Sequence, residues 1–145
     1  MASNASNAPT AIPQGPRPGK KYFTLGEANR SLPYVMRVVE DLTVSYGRVV
    51  EIRQNLATLS PADNREILET ELEAGMDRLS ELVDELQQVG VELKDFEKGL
   101  LDFPSLHEGR EIYLCWHRGE KAVHTWHEID AGYAGRQDVA ALEQH

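Results

Sequence analysis

Apolar residues recur every three or four positions from Leu25 to Val89, and then about every second position from Val91 to Ile129. The first period belongs to helices that bury one face, the second to strands. Thr24-Leu25-Gly26-Glu27 has the form of a capping box, in which the Thr24 hydroxyl and the Glu27 carboxylate each accept the other's backbone amide. It predicts a first short helix to about Leu32. Pro33 cannot donate to residue 29, so the helix is expected to bend or restart there. A second helix then runs to about Leu59, with Val35, Leu42, Val49 and Leu56 seven residues apart.

Ser60-Pro61-Ala62-Asp63-Asn64 is a turn cluster. The third helix repeats the pattern in two rows: Leu68, Gly75, Leu82 and Val89, and Leu72, Leu79 and Leu86. Gly75 weakens the seam by about 1 kcal/mol against alanine. So short a connection makes the two long helices an antiparallel hairpin of coiled-coil type. Gly90 ends it. The alternation that follows predicts four strands: Val91–Asp95, Leu100–Phe103 stopped by Pro104, Arg110–His117, and Ala122–Ile129. The expected fold is α+β: a short helix, a long helical hairpin, and a four-stranded antiparallel meander packed against it.

Composition sets the boundaries. Residues 1–20 carry little apolar bulk and read as a disordered tail, 21–137 as one domain, and 138–145 as a second tail. A net charge of -9 opposes nucleic acid or an anionic membrane as partner, since phosphate binding needs a positive field. The single cysteine, Cys115, rules out an internal disulfide and fits a reducing cytosol. No apolar run reaches the roughly 18 residues of a membrane span. The expectation is a cytoplasmic protein. The second helix, about 38 Å long, outreaches strands of about 17 to 27 Å. Apolar residues near the hairpin tip, such as Leu56, Leu59 and Leu68, therefore need another partner, and a homodimer through the hairpin is expected.

The chemistry is concentrated late in the chain. Four of the five histidines, Cys115 and both tryptophans lie between Asp102 and Arg136. With Gly119-Glu120 as a two-residue hairpin turn, Cys115 faces His124 and Ile112 faces His127. His127 then falls on the helix-facing side with Ile112 and Leu114, where a buried imidazole needs partners for both ring nitrogens. Asp102 and Asp130 are the candidate carboxylates. Such a pair serves as a general base or metal ligand, or as a core histidine tied to a backbone carbonyl. Cys115, His117 and His124 form a second candidate set, for zinc. An ordinary mixed strand face is the better reading of it, because structural zinc sites usually supply four closely spaced ligands. Asp130 to Arg136 suits a turn that exposes amides with Arg136 as an anion fork, or a structural wrap in which Arg136 pairs with a glutamate.

Three stretches together carry a resemblance: Phe23-Thr24-Leu25-Gly26-Glu27-Ala28-Asn29-Arg30 with Leu32-Pro33; Gly90 to Asp95 through Gly99-Leu100-Leu101-Asp102-Phe103-Pro104; and Gly109 to Trp116 through Trp126-His127-Glu128 to Gly132-Tyr133-Ala134-Gly135-Arg136. Over about residues 22 to 137 the chain resembles the uncharacterised prokaryotic family known as domain of unknown function 2203. The resemblance implies the domain and leaves its activity open. Asp102, Cys115, Trp116, Trp126, His127, Asp130, Gly132, Gly135 and Arg136 match that pattern, while His117 stands where the pattern has arginine and His107 and His124 are not pattern positions. The resemblance thus moves the candidate site to Asp102, His127, Glu128, Asp130 and Arg136. The functional expectation is a self-associating binding protein with a small polar site at the sheet. The alternatives are an enzyme, assisted by a divalent metal, that uses His127 and nearby carboxylates, and a structural adaptor whose hairpin binds another protein.

Overall fold

Thr24 makes both bonds of the capping box, its hydroxyl accepting the Glu27 amide at 3.0 Å and its amide donating to Glu27 at 2.9 Å. Helix α1 (Leu25–Thr58) starts there. The computed structural model describes residues 16–144, so most of the expected N-terminal tail lies outside the described residues. Pro33 neither ends nor restarts α1, which is continuous through it. The proline removes one bond, to the Asn29 carbonyl, at a local cost of about 3 kcal/mol. Burial of Ala28 and Leu32 before it and of Val35, Val38, Val39 and Leu42 after it keeps the two segments on one axis. The expected short helix and second helix are therefore one element.

Helix α2 (Glu66–Val89) returns antiparallel and ends at Gly90, whose φ of 105° puts it in the left-handed region open to glycine. Of the expected heptad rows, Val35, Leu42, Val49, Leu82 and Leu86 are buried, while Leu56, Leu68, Leu72, Leu79 and Val89 are partly exposed. Gly75 is a close-approach position: a Cβ there would meet Val49 Cγ2 at 3.0 Å. The Tyr46 ring of α1 stacks 5.2 Å from that of Phe96, in the turn after the first strand. Val49 and Ile52 are buried outside the main core cluster. No helix among the described residues is long and apolar enough to cross a membrane.

The sheet has five strands rather than four, each paired antiparallel with the one before: β1 (Glu92–Asp95), β2 (Leu100–His107), β3 (Arg110–His117), β4 (Thr125–Glu128) and β5 (Gln137–Asp138). β2 runs straight through Pro104, which pairs with Tyr113. The Pro104 carbonyl accepts the Phe23 amide at 2.7 Å on the side away from β3. Its ring nitrogen points the same way, so the missing N–H leaves no gap in the β2–β3 ladder. Residues 138–144, expected as a tail, supply half of β5 and a 3-10 turn that seats Val139 in the core.

The β3–β4 connection departs most from expectation. Seven residues, 118–124, replace the two-residue turn. Trp116 Nε1 donates to the Glu120 carbonyl at 2.9 Å. Asn29 of α1 pairs with the Val123 backbone like another strand, its Oδ1 accepting the amide at 2.8 Å and its Nδ2 donating to the carbonyl at 3.2 Å. The resulting register pairs Cys115 with Thr125 and Tyr113 with His127. That is one residue away from the expected pairing, and one residue exchanges the two faces of a strand. The inner face, packed with the helices, carries Leu101, Phe103, Ile112, Leu114, Trp116 and Trp126. His127 is on the other face.

Candidate functional site

Asp102, Cys115 and His127 come from three adjacent strands, β2, β3 and β4, and share the sheet's outer face. Each sits in a strand that also supplies core residues, so the backbone beneath them is fixed. All three are buried. Their ligand-type atoms, a carboxylate oxygen, Sγ and an imidazole nitrogen, lie within 4.8 Å of one another. His127 Nε2 is 3.0 Å from Asp102 Oδ1, and Nδ1 is 2.7 Å from the Glu128 carbonyl. A carbonyl only accepts, so Nδ1 carries a proton; Nε2 faces a carboxylate, so the second ring proton lies between them. Burial works against the imidazolium, but hydrogen bonds to Asp102, Cys115 and the Glu128 carbonyl outweigh it and raise the pKa to about 10.

The three residues line a cavity of about 240 Å³, whose other walls include Lys94, Tyr113, Ile129, Gly132 and Tyr133. The Tyr113 ring is 5.5 Å from that of His127, and its hydroxyl donates to Glu92 at 3.1 Å. Glu92 also takes Lys94 Nζ at 3.0 Å and Lys20 Nζ at 3.5 Å. Burial opposes its charge, yet these partners hold its carboxyl below the usual range. Burial, together with Glu92 and Asp102, pushes the Tyr113 hydroxyl up. Two cations approach the Tyr133 ring, the Arg136 guanidinium at 4.3 Å and Lys98 Nζ at 5.6 Å from its centre.

Of the residues singled out from sequence, Asp102 and His127 meet, and they do so on the face opposite the expected one. Glu128 points to the inner side and takes a two-bond fork from Arg110, at 3.2 and 2.6 Å. Asp130 is exposed in the turn after β4. Arg136 pairs with Glu120 at 3.2 Å, the glutamate contact expected of a structural wrap. His117 and His124 do not join Cys115. Both approach Glu120, at 3.7 and 3.4 Å, and His117 Nδ1 accompanies the Arg118 carbonyl at 2.9 Å. Glu92, Lys94 and Tyr113 were not singled out from sequence. Only the alternation of Glu92 and Lys94 along β1 hinted at a shared polar row.

A helical hairpin packed on an antiparallel meander, with a buried carboxylate, thiol and imidazole on the meander's outer face, defines the class of protein. The family model described as uncharacterized conserved protein (DUF2203) matches residues 21–139, and the chain belongs to that family. No curated protein and no solved structure matches it.

Proposed function

We propose that this chain is a small cytosolic binding domain whose ligand site is the outer-face cavity floored by Asp102, Cys115 and His127. The observation that carries this is the side on which the ion pair sits. Asp102 and His127 face away from the helices and line an open cavity instead of being sealed in the main core. Burying two ionisable groups costs several kcal/mol each before their attraction is counted. Where the fold does not depend on such a pair, replacing it with apolar side chains of similar volume is often neutral or stabilising. The double variant Asp102→Leu/His127→Leu is expected to unfold in urea at or above the parent's midpoint, because groups retained for binding are commonly held against stability. A large loss of stability in that variant assigns the pair to the fold and ends this reading.

Self-association is the second part of the reading. Val44 and Ile67 are each 63% exposed and Met76 45% exposed on the hairpin. Apolar side chains of that size on a two-helix projection supply an isologous contact between copies.

A further inference from the structure

The ligand of this cavity follows from how the three floor residues are aimed. In a nucleophile–base–orienter arrangement the imidazole uses its two nitrogens separately, one toward the nucleophile and one toward the carboxylate. Here Nε2 faces Asp102 at 3.0 Å and Nδ1 is bound to the Glu128 carbonyl at 2.7 Å, so neither nitrogen is left to take a proton from a nucleophile. No proton relay runs through such a ring. An imidazole fixed through one nitrogen by a backbone carbonyl, with the other presented to a carboxylate in a cluster that includes a thiol, is instead the orientation of a metal ligand.

Resting on the reading of the cavity as a binding site, we propose that Asp102, Cys115 and His127 hold one divalent transition ion of the zinc type. The donor set selects the class. Thiolate and imidazole suit zinc and its neighbours, whereas calcium and magnesium take oxygen ligands. The spacing fits. Tetrahedral zinc with ordinary bond lengths separates its donors by about 3.4 to 3.6 Å. The 3.0 Å edge has to open by a few tenths of an ångström, and an edge as long as the cluster's 4.8 Å bound would have to close by about 1.2 Å. Charge also balances. Two protons leave, one from Nε2 and one from Sγ, and the ion's two charges replace them, so the buried cluster stays neutral. All three donors line the cavity, so the fourth coordination position opens onto its roughly 240 Å³. Three protein ligands plus an open position is the arrangement of catalytic rather than structural zinc, in which the ion activates a bound water.

The test uses the full chain, purified without a histidine tag, stripped with chelator and titrated with zinc and with cobalt(II). One ion per chain is expected, with the sulfur-to-cobalt charge-transfer band in the near ultraviolet. Cys115→Ser should abolish that band, and Asp102→Asn and His127→Gln should each weaken zinc binding at least tenfold. His124→Ala, outside the cluster, should bind like the parent. Should a ligand variant fail to fold, the cobalt spectrum of the parent still decides, because sulfur ligation comes only from Cys115, the single cysteine of the chain. Absence of a stoichiometric ion, a cobalt complex without the sulfur band, or unchanged affinity in Cys115→Ser overturns the metal site. The double leucine variant tests the cavity separately, since it reads stability without added metal.

Discussion

His127 and Asp102 meet at 3.0 Å although their strands are not neighbours: β3 runs between β4 and β2. Two strand spacings separate the backbones by about 9.6 Å, so both side chains lean inward over Cys115, the β3 residue between them. Any change at one of the three is therefore felt by the other two.

The pH dependence of the metal-free protein follows from this pair. The His127 pKa is raised from 6.5 to about 10 in the folded state. A raised histidine contributes stability that is fully present below its unfolded pKa and is lost as pH rises through the folded value. Stability of chelator-treated protein should fall between about pH 6.5 and pH 10 relative to a His127→Gln variant. Urea midpoints collected across that range check it; parallel curves for the two proteins would contradict the pairing.

The acid limb has a different origin. Glu111, 3% exposed, accepts Arg17 Nε at 2.7 Å and the Tyr22 hydroxyl. Burial opposes its charge, but those partners keep its carboxyl below the usual range. A depressed carboxylate contributes stability present above its unfolded pKa and lost as pH falls through the folded one. The Glu111→Gln variant should therefore be less stable than the parent near neutrality, and the two should converge below about pH 4. Thermal unfolding at pH 3 and pH 7 measures this.

Asn29 is the part-buried tie between α1 and the β3–β4 connection, in addition to the exposed Arg118–Glu40 pair. Asn29→Ala leaves both polar groups of the buried Val123 backbone without their partner. The expected cost is about 1 to 3 kcal/mol. Asn29→Asp keeps the acceptor for the Val123 amide and loses the donor to its carbonyl, so it should retain part of that stability. Equal losses for the two variants would show that only the donor matters.

Light scattering decides self-association. The parent is expected to be a dimer at micromolar concentration, and Val44→Glu/Ile67→Glu a monomer of unchanged helix content. A monomeric parent would remove the dimer.

The fold class was legible because its signals are local. The Thr24 capping box, the heptad rows and Gly90 act within a few residues of themselves, and each appears where the pattern puts it. Pro33 misled because propensity knows nothing of Leu32 and Val35 buried on either side of it. β5 is two residues long and too short to show a period. The site was half legible. Asp102 and His127 stand out as polar groups within apolar strands, but which face they share depends on the register of β4. That register is set by a contact from Val123 to Asn29, 94 residues away, that no local pattern encodes. Glu128 and Asp130, near His127 in sequence, fall outside the site. Glu128 alternates to the other face, and Asp130 lies past the strand.

The bonds at the start of α1 bear on the order in which the molecule can be assembled. Phe23 donates to the Pro104 carbonyl at 2.7 Å and accepts from the Ser105 hydroxyl at 2.5 Å, a partner 82 residues further on. A ribosome delivers the N-terminus first. Both helices and β1 therefore emerge from the ribosome before the partners that anchor Phe23 do, and the apolar stripe of the hairpin waits uncovered until β2 and β3 follow. For this chain the vulnerable moment is the interval in which the hairpin has emerged and β2 and β3 have not.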